Sequence, residues 1–396
     1  GPDVWMESAA VEQLGQIARK PQCRCAVGMP DLHPGRGIPI GAVFAFADQV
    51  IPMLVGGDAG CGVHLRVVAK SRIKGAALER RVLEATQDPI LPDVDPDEAM
   101  AAVWRAGIAG LVGLQGVPEA LARLAASVAA DHADTLGASG PAPEAHGLGR
   151  QLGTVGGGNH FLELAEVTSV VDKPAADTLG LARGALAVMA HSGSRGAGAA
   201  VAQHWGNAEL GPGSEREAYL ADLAGACRFA QANRFLLVWR MLTALGATRE
   251  SRLGPSFDLI HNTVVPAQWQ GEPVFVHRKG AAPAALEEPT VVLGSRGARS
   301  TIMMGAGSEK HLWSVAHGAG RKMGRSEAME KIRARYTKAK ARKSATGGWL
   351  VCDDSKLLFQ EHPDTYKPVE PVVRSLENAG AARVVAHLTP LITVKR

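Results

Sequence analysis

An imidazole, two glycines and a guanidinium stand together in His317-Gly318-Ala319-Gly320-Arg321. These side chains in this order suit a nucleophile that a phosphate must reach closely. Glycine lacks the Cβ that would block the approach, and arginine offers a rigid fork of donors to phosphate oxygens. A neutral imidazole nitrogen can itself attack phosphorus and carry it as a phosphoramidate. Alone, the stretch reads more simply as a satisfied histidine in a glycine turn. Other stretches of the chain shift that balance.

Gly57-Asp58-Ala59-Gly60-Cys61-Gly62 sets a carboxylate and a thiol three residues apart in a glycine-rich turn, where both can face one cation. A thiolate is a strong ligand able to bridge two metals, although a single cysteine is ordinarily an inert buried group. Gly153-Thr154-Val155-Gly156-Gly157-Gly158-Asn159-His160-Phe161-Leu162-Glu163 couples a backbone open to close approach with an amide, an imidazole and a carboxylate. His191-Ser192-Gly193-Ser194-Arg195-Gly196 adds a histidine followed by an anion-friendly loop. His261-Asn262, His277-Arg278-Lys279-Gly280 and Gly294-Ser295-Arg296-Gly297 follow, each equally readable by itself as core histidine or surface basic cluster.

These groups need elements to aim them. Periodicity predicts a short amphipathic helix over 5–19, then a turn-rich loop Gly28 to Gly37 holding Asp31 and His33, then an apolar strand over 38–46. Helical runs over 75–136 suggest a peripheral layer with little chemistry. His146-Gly147-Leu148-Gly149 precedes the Gly-rich loop. An apolar strand over 185–190 delivers His191, and a long helical pair spans 215–246 with Asn233-Arg234 between apolar faces. Strands are expected over 273–276, 290–293 and 301–304. The run 322–343 is a basic helical segment, readable as a solvated face or as a surface facing a polyanion. Finally, an apolar strand over 384–394 carries Lys395 to the last two positions, unusual for a fraying terminus. Strands interleaved with Gly-rich loops and helical insertions indicate a mixed α/β (α+β) chain with a central β core, read as one domain over 1–396.

Composition fits a globular protein of 396 residues: 46% hydrophobic, 21% charged, net charge +4. A weakly basic balance permits a nucleic-acid partner without demanding one. No apolar run approaches the roughly 20 residues a bilayer requires, so no membrane span is expected. Five cysteines, an odd number without an export signal, suggest a reducing, cytoplasmic setting.

Taken in order, the motifs Met29-Pro-Asp-Leu-His33, Gly57-Asp-Ala-Gly-Cys-Gly-Val63, Gly153 to Glu163, His191 to Gly196, His261-Asn262, His277 to Gly280, Gly294-Ser295 and His317 to Arg321 make the chain similar to the RtcB family of RNA ligases along nearly its whole length. The resemblance implies an RtcB-like fold, and a GTP- and Mn²⁺-dependent joining of RNA 2′,3′-cyclic phosphate or 3′-phosphate ends to 5′-hydroxyl ends. That reaction serves RNA repair or tRNA splicing. It passes through a histidine-GMP adduct and an RNA-3′-pp-5′-G end. His317 resembles the guanylylated histidine. Asp58, Cys61 and His160 match one metal site, and Cys61, His191 and His261 the other. Asn159, Glu163, Ser295, Gly318, Ala319, Gly320, Arg321 and Lys395 match nucleotide contacts. Asp31 resembles an essential acid near the metal cysteine, while Arg195 and Lys279 match phosphate-binding positions. An archease-like activator or a release-factor-like protein is the implied protein partner.

Some features depart from the commonest family pattern. The loops His33 to Gly37 and Gly294 to Arg299 are arginine-rich and the chain is short, which fits a divergent bacterial paralogue directed at damaged RNA. A His/Cys/Asp ligand set alone would suit Zn²⁺ as well as Mn²⁺. Two rival functions stay in view: a metal-dependent phosphoesterase that opens cyclic phosphates without ligating, and an RNA-end-binding protein that has lost catalysis.

Overall fold

The computed structural model describes residues 4–70, 73, 75–87, 89–131, 134–144 and 147–396. His146, singled out from sequence, lies outside them. Among the described residues the strands form three sheets. The largest runs β10 (Pro289–Val292), β11 (Ser300–Gly305), β14 (Ala382–Lys395), β4 (Phe161–Val170), β5 (Leu186–Ser192), β3 (Gly62–Val68) and β6 (Leu253–Ile260), with β13 (Trp349–Cys352) alongside β14. A second sheet has the order β1 (Cys23–His33), β2 (Ile40–Phe46), β8 (Glu272–Lys279), β7 (Asn262–Trp269). The third is the small pair β9 (Ala281–Pro283) and β12 (Ser314–Ala316).

Burial on both faces explains the continuous apolar strands. β3 and β5, at the middle of the large sheet, are buried at every residue. The helices are α1 (Ser8–Ala18), α2 (Gly75–Ala85), α3 (Pro96–Ala106), α4 (Glu119–Asp131), α5 (Lys173–Thr178), α6 (Arg195–Trp205), α7 (Ser214–Ala244), α8 (Arg325–Arg335), α9 (Lys338–Ala341), α10 (Ser355–Gln360) and α11 (Val369–Asn378). Between α8 and α9, Tyr336 and Thr337 take extended backbone, so the basic run is two helices.

Two expectations change. Where a helical pair was expected over 215–246, one helix, α7 (Ser214–Ala244), runs without a break. Its internal Gly225 is a packing glycine: a Cβ there would lie 2.0 Å from the Trp104 ring of α3. Met29 to His33 belong to β1 and not to a loop. β1 is the outer strand of its sheet, where Pro30 deprives no neighbour of a ladder donor.

The register of the large sheet builds the site. Gly62 at the start of β3 pairs with Ser192 at the end of β5 and with Ile260 at the end of β6, while Phe161 at the start of β4 pairs with His191. Four strand ends thus meet at one edge. Cys61, His160, His191 and His261 sit at those ends. The long β14 is held by β4 and β13 up to its final residues, Val394 opposite Leu162 and Lys395 opposite Cys352. Its terminal lysine is therefore anchored.

Candidate metal and nucleotide centre

The four strand ends bring their ligating atoms together. Cys61 Sγ lies 3.3 Å from His160 Nε2 and 3.5 Å from His191 Nε2. His191 Nε2 is 3.4 Å from His261 Nε2, and His160 Nε2 is 3.0 Å from Asp58 Oδ2. Cys61 is the shared vertex between an Asp58/His160 group and a His191/His261 group. Burial holds the His191 and His261 rings well below the ordinary histidine range, so both present an unprotonated lone pair. Burial, reinforced by Asp58, pushes the Cys61 thiol well up. Burial also raises Asp58, but His160 and Lys279 overcome that and hold its carboxyl well below the usual range. Converging lone pairs at such distances, together with a buried thiol and carboxylate, are the donor set a divalent cation satisfies, and the residues fit one. Cys61, His160 and His191 meet the spacing for a single ion.

His317 completes the arrangement. It leaves the short strand β12 and its ring centroid stands 4.8 Å from that of His261 and 6.5 Å from that of His191. Its Nδ1 is 2.7 Å from Asp31 Oδ2, a carboxylate with no exposure. This close contact sets the Asp31 carboxylate against the Nδ1 side of the ring and leaves Nε2 as the other ring nitrogen. The resemblance placed Asp31 near the metal cysteine; the structure seats it on His317. The glycine turn is pinned by main-chain bonds from Leu293 N to His317 O (3.0 Å), Ala319 N to Leu293 O (3.1 Å) and Lys367 N to Gly320 O (2.9 Å). Gly320 has φ +74° and a Cβ there would lie 2.4 Å from Asp31 O. Gly320→Ala should therefore cost on the order of 1–3 kcal/mol and pull the turn off Asp31. A lowered melting temperature would register the first effect, and a changed His317 ring resonance the second.

A cleft of about 540 Å³ joins these groups. Asp58, Cys61, His191, His261 and His317 open onto it with Asn159, Ser295, Gly318, Ala319, Gly320, Arg321, Lys279 and Lys395. Arg321 lies in the wall, its fork engaged by Met323 O, Gln360 O and the Glu361 carboxylate at 3.0 Å. Lys395 Nζ donates to Gly158 O and His160 O, both at 3.1 Å, tying the chain terminus to the Gly-rich loop. Lys279 Nζ donates to Val55 O, and burial lowers its pKa against the pull of Asp58 and Cys61. Arg195 stands behind the cleft, with Nε 3.4 Å from Thr154 Oγ1 and its guanidinium against Gly156. Glu163 is also set back: Thr393 Oγ1, itself on the cleft wall, donates to it at 2.7 Å.

Burial pushes the Glu163 carboxyl from 4.5 up to about 8, against Thr393 and Lys395. A carboxyl that holds its proton more tightly when folded adds nothing below its unfolded value and becomes destabilising as pH rises toward 8. Lys395, lowered by burial to about 8 in spite of Glu361, acts in the opposite sense, but only from about 8 upward. In metal-free protein, Glu163→Gln should thus gain stability over the parent between pH 5 and 8, by on the order of 1–3 kcal/mol. Thermal melts across that range check it, since a pH-independent difference would contradict the buried acid.

Sequence reasoning missed Glu361, whose side chain is fully buried yet borders the cleft between Arg321, Arg325 (3.6 Å) and the Tyr366 hydroxyl. A lone glutamate in an ordinary stretch carries no motif, and only the folded chain collects its partners. His33 also lines the cleft; its Nδ1 donates to Asp31 O at 2.8 Å, and burial lowers its pKa to about 4.

Fold and site define a mixed α/β protein whose cleft couples a buried thiol–imidazole cluster to a carboxylate-oriented histidine. The family described as tRNA-splicing ligase RtcB matches residues 13–396, and the chain belongs to the RtcB family. It is 34% identical over 402 residues to the RNA-splicing ligase RtcB2 of Escherichia coli, covering 99% of this chain and 93% of that protein. The RNA-splicing ligase RtcB of Mycobacterium tuberculosis is 33% identical over 434 residues, at 94% and 97% coverage. The tRNA-splicing ligase RtcB of Archaeoglobus fulgidus is 29% identical over 462 residues, at 98% and 92%. No described helix is long and apolar enough to cross a membrane.

Proposed function

We propose that this chain is a GTP- and Mn²⁺-dependent RNA ligase, acting as one catalytic unit, that joins 2′,3′-cyclic phosphate or 3′-phosphate ends to 5′-hydroxyl ends. The observation that carries the reading is the His317 ring, held by Asp31 at 2.7 Å and lying 4.8 Å, centroid to centroid, from His261 of the metal cluster. A nucleophile with its free nitrogen beside a cation site is the arrangement that phosphoryl transfer requires. His317 Nε2 attacks the α-phosphorus of GTP; a P–N bond forms as the bond to the β-phosphate oxygen breaks and pyrophosphate leaves. The Asp31 carboxylate, facing Nδ1, stays ionised and steadies the positive charge that develops on the ring. A 3′-phosphate oxygen of RNA, produced by hydrolysis where the end is cyclic, then takes GMP from His317. The 5′-hydroxyl of the second RNA attacks that 3′-phosphorus, loses its proton and expels GMP.

Asp58, Cys61 and His160 would hold one metal ion and Cys61, His191 and His261 a second, supplying Lewis-acid neutralisation of charge on the phosphoryl oxygens. Asn159, Ser295 and Lys395 on the cleft wall are the nucleotide contacts, with Arg321 and Glu163 as support. Lys279, a half-buried cation near Asp58, draws the substrate phosphate inward, and Arg195 stiffens the loop beneath it.

The test is an RNA joining assay with a 5′-hydroxyl acceptor and a cyclic-phosphate or 3′-phosphate donor, with Mn²⁺ and with or without GTP. Joining that requires GTP is the expected result. Conversion of cyclic phosphate to 3′-phosphate without joining, and without need of GTP, would establish the phosphoesterase instead.

A further inference from the structure

Two adjacent side chains in the middle of α7 touch none of the ligating atoms, yet they bond to every segment that carries them. Asn233 and Arg234 have no exposed surface. The Asn233 carboxamide accepts from Thr154 N at 3.1 Å and donates toward Thr154 O (3.2 Å), Ser192 Oγ (3.0 Å) and Gly193 O (3.2 Å). It therefore fastens the Gly-rich loop leading to His160 onto the turn that follows His191. The Arg234 guanidinium grips both oxygens of Asp258, at 2.8 and 2.7 Å, three residues before His261 on β6. Its remaining fork donates to Gly60 O at 2.6 Å, between Asp58 and Cys61, and to Ser192 O at 2.9 Å, beside His191. The strand end after Asp258 is closed in turn by His261 N donating to Cys61 O at 2.8 Å.

We infer that Asn233 and Arg234 are the positioning residues of the metal centre: together they hold the Asp58–Cys61 turn, the loop before His160, the end of β5 and the end of β6 in mutual register. The inference rests on the metal reading above. Around this pair α7 is lined by Phe229, Ala230, Phe235, Leu236 and Leu237, all buried. An amide and a guanidinium there are desolvated, and an apolar pair would satisfy packing at least as well. What an apolar pair lacks is a way to tie four separate loops to one rigid rod. Ligands on loops have little to fix them unless outer partners do, and loss of such partners typically weakens metal binding about 10–100-fold.

Co²⁺ alone serves as the probe, because its visible bands report ligand geometry and a thiolate adds a charge-transfer band. In Asn233→Ala the Co²⁺ dissociation constant should rise about tenfold or more, with the visible bands displaced. Leu242→Ala, a core truncation over two turns further along the same helix, is the stability control. It should melt lower and keep the parental affinity and spectrum. Arg234→Lys retains the charge opposite Asp258 but cannot reach Gly60 O and Ser192 O with one compact ammonium, so it should shift the spectrum as Asn233→Ala does. Parental affinity and bands in Asn233→Ala, or in a folded Arg234→Lys, would overturn the inference, and so would equal spectral change in Leu242→Ala. If Arg234→Lys does not fold, the Asn233→Ala and Leu242→Ala comparison decides. A parent protein that takes up no Co²⁺ with a thiolate band would remove the metal reading itself, and this inference with it.

Discussion

Incubated with α-labelled GTP and Mn²⁺, the parent chain should acquire label that survives denaturation and alkali but not acid, and His317→Ala should acquire none. The bond in question is a phosphoramidate, stable to base and lost when its nitrogen is protonated. The substitution would leave no nitrogen at the same point of the cleft, since the Nε2 atoms of the neighbouring His191 and His261 face each other and that of His191 also faces Cys61. Asp31→Asn gives the intermediate case. An amide oxygen can still accept from Nδ1, but an amide nitrogen turned toward the ring would donate instead and move the proton to Nε2. By analogy with orienting carboxylates elsewhere, labelling should slow by roughly 10³-fold or more while GTP binding is kept. Label retained on His317→Ala would move the nucleophile elsewhere and remove the central step of the proposed reaction.

The parts of this site that could be read from sequence are those whose chemistry is local. Asp58 and Cys61 share a turn, Asn159 and His160 follow one glycine loop, and His191 and His261 each end an apolar run; residue type and spacing announce them without knowledge of pairing. Register alone made them neighbours, through Gly62 opposite both Ser192 and Ile260. The partner of Asp31 was not legible, because His317 is far along the chain and meets it only when β12 docks beside the end of β1. β1 itself was hidden by Pro30 and by a register shift before His33, both features that mimic a turn in a one-dimensional reading. Glu361 gave no signal, and nothing in the sequence announced Gly225 as the place in α7 where Trp104 makes its close approach. Asn233 and Arg234 read only as polar residues between the apolar faces of a helical pair, and their bonds to four loops explain the position.

Replacing Cys61 with alanine should cost the protein both of the two proposed metal ions at once, and this sets it apart from every other ligand substitution. Cys61 Sγ is the atom within reach of both His160 and His191, at 3.3 and 3.5 Å, whereas Asp58 contacts only the His160 side and His261 only the His191 side. Removal of a shared vertex should weaken each site by more than the roughly 10–100-fold that follows loss of an outer partner. Asp58→Asn should instead empty one site and spare the other. The fold should survive Cys61→Ala, because one buried sulfur leaves a small cavity costing about 1–2 kcal/mol and the Gly60 and Cys61 main-chain bonds to Arg234 and His261 remain. Metal content after dialysis, measured with far-ultraviolet circular dichroism on the same samples, separates these outcomes. Two ions in the parent, one in Asp58→Asn and none in a folded Cys61→Ala would mark Cys61 as the bridge. One ion retained in Cys61→Ala would mean the two imidazole groups bind independently, and the shared-thiolate arrangement would have to be abandoned.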